Sequence, residues 1–84
     1  MISKIINIGS EIAPVLSIRK SAADLFDEFE SFPADEILVD FKDVNFMSRA
    51  FAHEYVVQKR KSSKNISEIH LSEDAQKMIE IVSR

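Results

Sequence analysis

The residues best suited to chemistry lie in one short segment between positions 40 and 48. Asp40 closes an apolar run, Asp43 follows it, and Ser48 precedes a stretch with helical spacing. Ligands of open parallel sheets bind near the carboxyl ends of the strands, where Asp40 would lie. One hypothesis is therefore a small enzyme or phosphotransfer protein that uses Asp40, Asp43 and Ser48. A receiver-like phospho-aspartate would need further acids from an earlier strand end, where the sequence offers only Glu11. The alternative for Asp40 is a carboxylate that bonds the backbone of the following turn.

Two roles are open to Ser48. Before a helix it would act as an N-cap, since its hydroxyl can accept a hydrogen bond from a free backbone N–H of the first turn. A phosphate at the same position would face those N–H groups and the positive end of the helix dipole. Ser48 is thus the candidate phosphorylation site, with capping as the structural alternative.

No set of residues has the spacing of a metal or cofactor site. The chain has no cysteine, two histidines and one glycine, too few glycines for a phosphate-binding loop. His53-Glu54 resembles the start of the zinc motif H-E-x-x-H, but Val57 stands where the second histidine is required. His70 falls in a predicted strand, out of phase with its apolar residues, and is expected to be exposed. We therefore predict no metal and no cofactor.

A third hypothesis is a nucleic-acid-associated factor that uses the basic group Lys59, Arg60, Lys61 and Lys64. The formal net charge is −3, from 14 acidic and 11 basic residues, whereas nucleic-acid binders usually carry a positive field. No aromatic residue interleaves the group, so base stacking has no support. Cations at the last turn of a helix also stabilise its dipole. A nucleic-acid partner is therefore not expected.

Short apolar strands and amphipathic helices must position these residues. β-branched apolar runs indicate strands, and apolar residues at steps of three and four indicate helices. Strands are predicted at 2–8, 36–41 and 66–71, with 11–16 as a loop or short edge strand. Helices are predicted from caps at Ser17, Ser48 and Ser72. Alternating strands and helices predict an α/β fold, with a mainly parallel sheet of about four strands and three helices.

The length of 84 residues predicts a single domain with a thin core, at residues 1–84. No apolar stretch reaches the roughly 18 residues of a membrane span, and the N-terminus lacks the apolar run of a signal peptide. A cytoplasmic protein without a membrane partner is expected.

The segment from Ile37 to Glu54 resembles the centre of the STAS domain, the fold of bacterial anti-sigma factor antagonists. It is most similar to a STAS-like branch of small proteins with the signature DF-x-x-V-x-x-x-S-x-x-F-A-x-E. The matching positions are Asp40, Phe41, Val44, Ser48, Phe51, Ala52 and Glu54. The upstream Ser17-Ile18-Arg19, with Ala22 and Leu25, also matches that branch. The resemblance implies a STAS-like α/β fold and a protein partner, in that family a histidine-kinase-like ATPase.

The chain departs from the family at the phosphorylated residue. In phosphorylatable antagonists the acceptor is the second serine of the D-S-S-G turn. Alignment of Phe46-Met47 with the apolar pair before that turn places Ala50 at the acceptor position and Ser48 on the aspartate. Alanine has no hydroxyl, so the resemblance implies partner binding without the usual phosphoserine switch.

Apolar residues in a predicted loop complete the functional expectation. Phe46 and Met47 need either the core or a partner to cover them. We therefore expect a non-enzymatic protein-interaction module that regulates an ATPase-type or signalling partner. The predicted partner-binding residues run from this loop onto the exposed face of the following helix: Val44, Phe46, Met47, Ser48, Arg49, Ala50, His53 and Glu54.

Overall fold

The computed structural model of the chain describes residues 3–11, 15–16 and 19–83. Their elements, in chain order, are β1 (Ser3–Asn7), α1 (Ile8–Glu11), β2 (Val15–Leu16), α2 (Arg19–Ser31), β3 (Glu36–Asp40), β4 (Phe46–Met47), α3 (Arg49–Lys61), β5 (Asn65–Ile69) and α4 (Glu73–Ser83). The predicted α/β fold class is confirmed, with three long helices and a short helical turn, α1.

Three strands form the main sheet, in the order β1–β3–β5, and all are parallel. The register sets Ile6 beside Val39 and Ile37 beside Ile66, and all four side chains are buried. The sheet therefore has three described strands and not about four. The segment predicted as a loop or edge strand contributes β2, which pairs with β4 in a separate two-stranded ladder.

The strand order explains why the long helices form one layer. The strands follow one another in space in the same direction as along the chain, so two right-handed crossovers place their helices on the same face of the sheet. Helix α2 belongs to the first crossover and α3 to the second, and they pack against each other. Helix α4 packs against α3. The buried cluster lies between this helix layer and one sheet face.

Tyr55 of α3 is at the centre of the buried cluster. Its side chain is fully buried, and its ring lies edge-on to Phe26 and Phe41, with centroids 5.3 and 5.9 Å away. Its hydroxyl donates to Oε2 of Glu68 in β5 at 2.8 Å, while Nζ of Lys59 donates to the other carboxylate oxygen at 2.9 Å. Burial, and then the Glu68 charge, raise the pKa of Tyr55 well above its usual value. The neutral phenol therefore ties α3 to β5.

Several local predictions are confirmed. Val39 and Phe41 are both buried, as expected for the apolar run at 36–41. Val39 lies in the central strand β3, and Phe41 directly follows it. Ser48 caps α3, since its Oγ accepts a hydrogen bond from the Phe51 N–H at 3.0 Å. Ser72 caps α4 in the same way. The predicted cap Ser17, with Ile2 and Ile18, lies outside the described residues.

Two predictions about element boundaries are wrong. Ile8 was expected to end the first strand, but it begins α1. A Cβ at Gly9 would lie 2.7 Å from the Asp43 Cβ, so the chain can approach Asp43 this closely only with glycine at this position.

His70 was expected in the third strand, but β5 ends at Ile69 and His70 has a φ of 57°, in the left-handed region. Its predicted exposure is confirmed.

Removal of the Tyr55 hydroxyl should destabilise the protein. Tyr55→Phe keeps the ring but removes the donor to Oε2 of Glu68, while Lys59 still bonds the other oxygen, and the free energy of unfolding should fall by about 1 to 2 kcal/mol. Urea denaturation followed by circular dichroism measures this. The control is Ser31→Ala, which removes an exposed hydroxyl bonded to the Glu28 carbonyl and should change stability by less than about 0.5 kcal/mol. Equal effects of the two substitutions would contradict the assignment.

Candidate functional site

A groove with a volume of about 380 Å³ lies between the segment around β4 and the start of α4. It is lined by Val44, Asn45, Phe46, Met47, Ser72, Asp74, Ala75 and Met78. Met47 and Ala75 are buried, whereas the Phe46 ring is 53% exposed. Successive residues of a strand point to opposite sides, which is why Met47 joins the core while Phe46 faces outward. The groove thus has an apolar floor and an exposed aromatic wall.

Capped helix starts and a turn fix both walls of the groove. On one side the Val44 N–H donates to the Phe41 carbonyl at 3.1 Å, which closes the turn after β3. Ser48 then begins α3 directly after β4. On the other side the Ser72 hydroxyl accepts from the Ala75 N–H at 3.1 Å. Both walls of the groove are therefore held by hydrogen bonds to backbone groups and not by side-chain packing alone.

The predicted partner-binding residues fall into two groups. Three of them, Val44, Phe46 and Met47, line the groove. The other five follow along α3 from its cap: Arg49 and His53 are exposed, and Ser48, Ala50 and Glu54 are half-buried. Glu54 accepts a hydrogen bond from Gln58 Nε2 at 2.7 Å. The second group does not line the groove, so the structure joins only the first group into one concave surface.

Sequence reasoning missed the α4 wall of the groove. The spacing of the apolar residues of the last helix, Ala75, Met78, Ile79 and Val82, predicts a face that packs on the core. Ala75 is buried, and the other three are half-buried and pack against the core cluster, so Met78 also reaches the groove. One signal was available, because a thin core cannot cover every apolar face of three helices. Asp74 and Asn45, both exposed, add polar groups at the rim.

A second group of polar residues lies at the carboxyl ends of the parallel strands. Asp40 Oδ1 accepts a hydrogen bond from the Lys42 N–H at 2.9 Å and lies 3.0 Å from His70 Nδ1. Nearby, Asn7 Nδ2 donates to Asp43 Oδ2 at 2.9 Å. The Lys42 backbone bond, and then the His70 side chain, hold the pKa of Asp40 below its usual range. The predicted structural role of Asp40, as an acceptor for the following turn, is confirmed.

Each residue of the enzyme hypothesis is engaged in a separate local contact. Asp40 bonds the Lys42 turn and His70, Asp43 bonds Asn7, and the Ser48 hydroxyl caps α3. None of them lines the groove. Among the described residues, no group of three or more histidine, aspartate or glutamate side chains is arranged to hold a metal ion.

The basic group is largely engaged within the chain. Lys59 pairs with Glu68, and Arg60 Nη2 donates to the Ser83 carbonyl at 3.0 Å. Lys64 Nζ donates to the carbonyls of Phe32 and Ala34, at 2.8 and 2.6 Å. Three of the four cations therefore have structural roles that require no nucleic acid.

A smaller, more polar pocket of about 220 Å³ lies between α2 and the end of α3. Glu30 lines it and accepts hydrogen bonds from the hydroxyls of Ser62 and Ser63, at 2.7 and 3.2 Å. These bonds tie α2 to the loop after α3. The pocket therefore owes its polar lining to a structural contact.

Comparisons with protein-family models, curated proteins and solved structures find no match for this chain. The resemblance to the STAS domain therefore stays a prediction. Within the described part of the chain, no helix has both the length and the apolar character needed to cross a membrane.

The Asp40 interactions should make stability depend on acid pH. The pKa of Asp40 is below its ordinary value of 3.8 in the folded protein, so the unfolded chain binds more protons between the two values. Its contribution to stability is thus fully present above the ordinary value and is lost as the pH falls through the lower, folded value. The free energy of unfolding of the Asp40→Asn variant should therefore fall less steeply than that of the wild type as the pH drops below about 4.

Urea denaturation at a series of pH values from about 2 to 7 measures that slope. The matched control is Asp24→Asn, which removes an exposed carboxylate that pairs with Lys20 on α2. An Asp40→Asn variant that keeps the wild-type slope would contradict the assigned bonds.

Proposed function

We propose that this protein is a non-enzymatic protein-interaction module that takes an apolar side chain of a partner into the groove between β4 and α4. The observation that carries the proposal is Phe46, a large aromatic side chain that is 53% exposed at the wall of an apolar groove. Aromatic anchors that become buried at the centre of an interface supply most of its binding energy. A partner residue seated against Phe46 and Met78 would cover both.

The character of the groove favours a protein partner over a small substrate. Its polar members, Asn45, Ser72 and Asp74, are all exposed at the rim, while the floor is formed by Met47 and Ala75. Small-molecule sites instead hold a few polar groups that converge inside a concave cavity. An apolar floor with a polar, solvated rim is the usual anatomy of a protein interface.

The resemblance to STAS domains supports a regulatory role in the cytoplasm, with an ATPase-type or signalling protein as the partner. The proposed regulation does not use the phosphoserine of that family, because Ala50 occupies the aligned position. Ser48 is the nearest hydroxyl before it, and it caps α3. We therefore propose binding that is independent of phosphorylation and follows the abundance of the partner.

The second candidate function is a small enzyme or phosphotransfer protein that uses Asp40, Asp43 and Ser48. The observation in its favour is the Asp40–His70 pair at the carboxyl ends of parallel strands, with His70 in the left-handed region. Incubation with radiolabelled ATP or acetyl phosphate tests it. Label retained by the wild-type protein and lost in Asp40→Asn would support the phosphotransfer reading.

Phe46→Ser should weaken partner binding and leave the fold intact. The ring is exposed, so its loss costs the fold little, but an anchor worth about 2 kcal/mol lowers affinity about 30-fold. The test is affinity capture from native cell extract, with quantification of the captured proteins by mass spectrometry. The matched control is Ile81→Ser, which removes an apolar side chain that is 44% exposed and does not line the groove. A partner lost equally from both variants would contradict the groove.

Ser48 substitutions should separate capping from phosphorylation. Ser48→Ala removes the cap and should lower the free energy of unfolding by about 1 kcal/mol, whereas aspartate is an equally good N-cap. Ser48→Asp should therefore keep both the wild-type stability and the captured partner. Loss of the partner by a stable Ser48→Asp variant, together with phosphate on Ser48 in protein from native cells, would refute binding that is independent of phosphorylation.

A further inference from the structure

The main sheet has a second face that the helix layer does not cover. Residues one position out of phase with the buried Ile6 and Val39 point away from the core, because side chains alternate along a strand. The register aligns these residues in three rows: Ser3, Glu36 and Asn65; Ile5, Leu38 and Ser67; and Asn7, Asp40 and Ile69. We call these nine residues the open face. None of the nine is buried, and Ile5 is 62% exposed.

A face that lies outside the described helix layer is unusual for a parallel sheet. Such sheets occur almost only with both faces covered, since their crossovers supply helices. Here both crossovers run in one direction, so the long helices lie on one side. The open face nevertheless keeps one large aliphatic residue on each strand: Ile5 and Leu38 in one row, and Ile69 in the next. Ile5 belongs to this face and not to the core, and its side chain stays 62% exposed in the folded chain.

The charges on the open face indicate what kind of partner would match it. The open face contains two acids, Glu36 and Asp40, and no lysine or arginine. Glu36 is oriented by Ser3 and Asn65, at 3.0 and 3.4 Å, which are neutral donors that leave its charge in place. The two acids stand on either side of Leu38 along β3, about 13 Å apart at about 3.3 Å per residue. A partner that matches this face carries apolar residues flanked by cations.

The dimensions of the open face favour a single helix as that partner. Three strands of five residues cover about 14 by 17 Å, at spacings of about 4.8 and 3.3 Å. A helix with its side chains is about 10 Å wide, so one helix of about three turns fills the face. Two copies joined by this face would bring the like charges of Glu36 and Asp40 together, whereas a basic helix would not.

We propose that the open face binds an amphipathic helix of another protein, whose apolar stripe lies on Ile5, Leu38 and Ile69 and whose lysine or arginine residues, about two turns apart, pair with Glu36 and Asp40. This surface faces away from the helix layer and includes no residue of the groove. The proposal is therefore independent of the groove, and one can fail while the other stands.

The test uses a designed helical peptide of about 14 residues, with a leucine stripe flanked at both ends by lysines, and a twin with glutamate in place of each lysine. Binding to the full ¹⁵N-labelled chain is followed by NMR. The lysine peptide should shift amide signals of β1, β3 and β5, and the glutamate twin should not. Ile5→Ser should weaken binding at least tenfold, and Phe46→Ser should leave it unchanged.

A charge exchange makes the test specific. Glu36→Lys should weaken the lysine peptide and strengthen the glutamate twin, a reversal that loss of structure would not produce. Equal binding of both peptides, shifts confined to β4 and α4, or full affinity in Ile5→Ser would overturn the proposal. A wild-type dimer in sedimentation experiments that Ile5→Ser dissociates would also overturn it, because a second copy would then cover the face.

Discussion

Two right-handed crossovers that step in the same direction across a parallel sheet constrain the rest of this structure. The order β1–β3–β5 follows the chain, so α2 and α3 must lie on one side, and α4 then packs on α3. In doubly wound sheets the strand order reverses, and ligands bind in the crevice at that switch point. The described strands of the main sheet contain no such reversal. The polar residues at the ends of the described strands, such as Asp40, bond to neighbouring groups instead.

A one-sided sheet also makes the core thin, which explains why its packing is so aromatic. Tyr55 occupies the space between α2, α3 and β3, where its ring contacts Phe26 and Phe41. A buried phenol needs a hydrogen-bond partner, and Glu68 at the edge of β5 provides it from the half-buried margin of the core. The same carboxylate is neutralised by Lys59. The Tyr55 hydroxyl thus finds its hydrogen-bond partner at the boundary between the core and solvent, which avoids the free-energy cost of an unsatisfied polar group in a small core.

The parts of the fold that the sequence predicts are those set by local interactions. Helix α3 begins directly after Ser48 because the Ser48 hydroxyl accepts a hydrogen bond from the Phe51 N–H of the first turn, and β3 can be predicted from its apolar run. The β2–β4 ladder is not predictable, because each partner has only two residues and their pairing depends on tertiary contacts. The groove follows the same division. Phe46 can be singled out in the sequence as an apolar residue in a predicted loop. Met78 comes to line the same groove only because α4 packs on α3, which the sequence does not show.

The two proposed surfaces differ in origin, and this accounts for their different chemistry. The groove forms where α4 meets β4, so it is concave, local and mainly apolar at its floor. The open face lies outside the helix layer because the long helices of the described chain are on the other side of the sheet. It is a sheet surface, and it carries Glu36 and Asp40 on either side of Leu38, beside Ile5 and Ile69. The two proposals therefore assign a protruding apolar side chain to the groove and a basic helix to the open face. The two surfaces share no residue, so the two proposed partners would not compete for the same side chains.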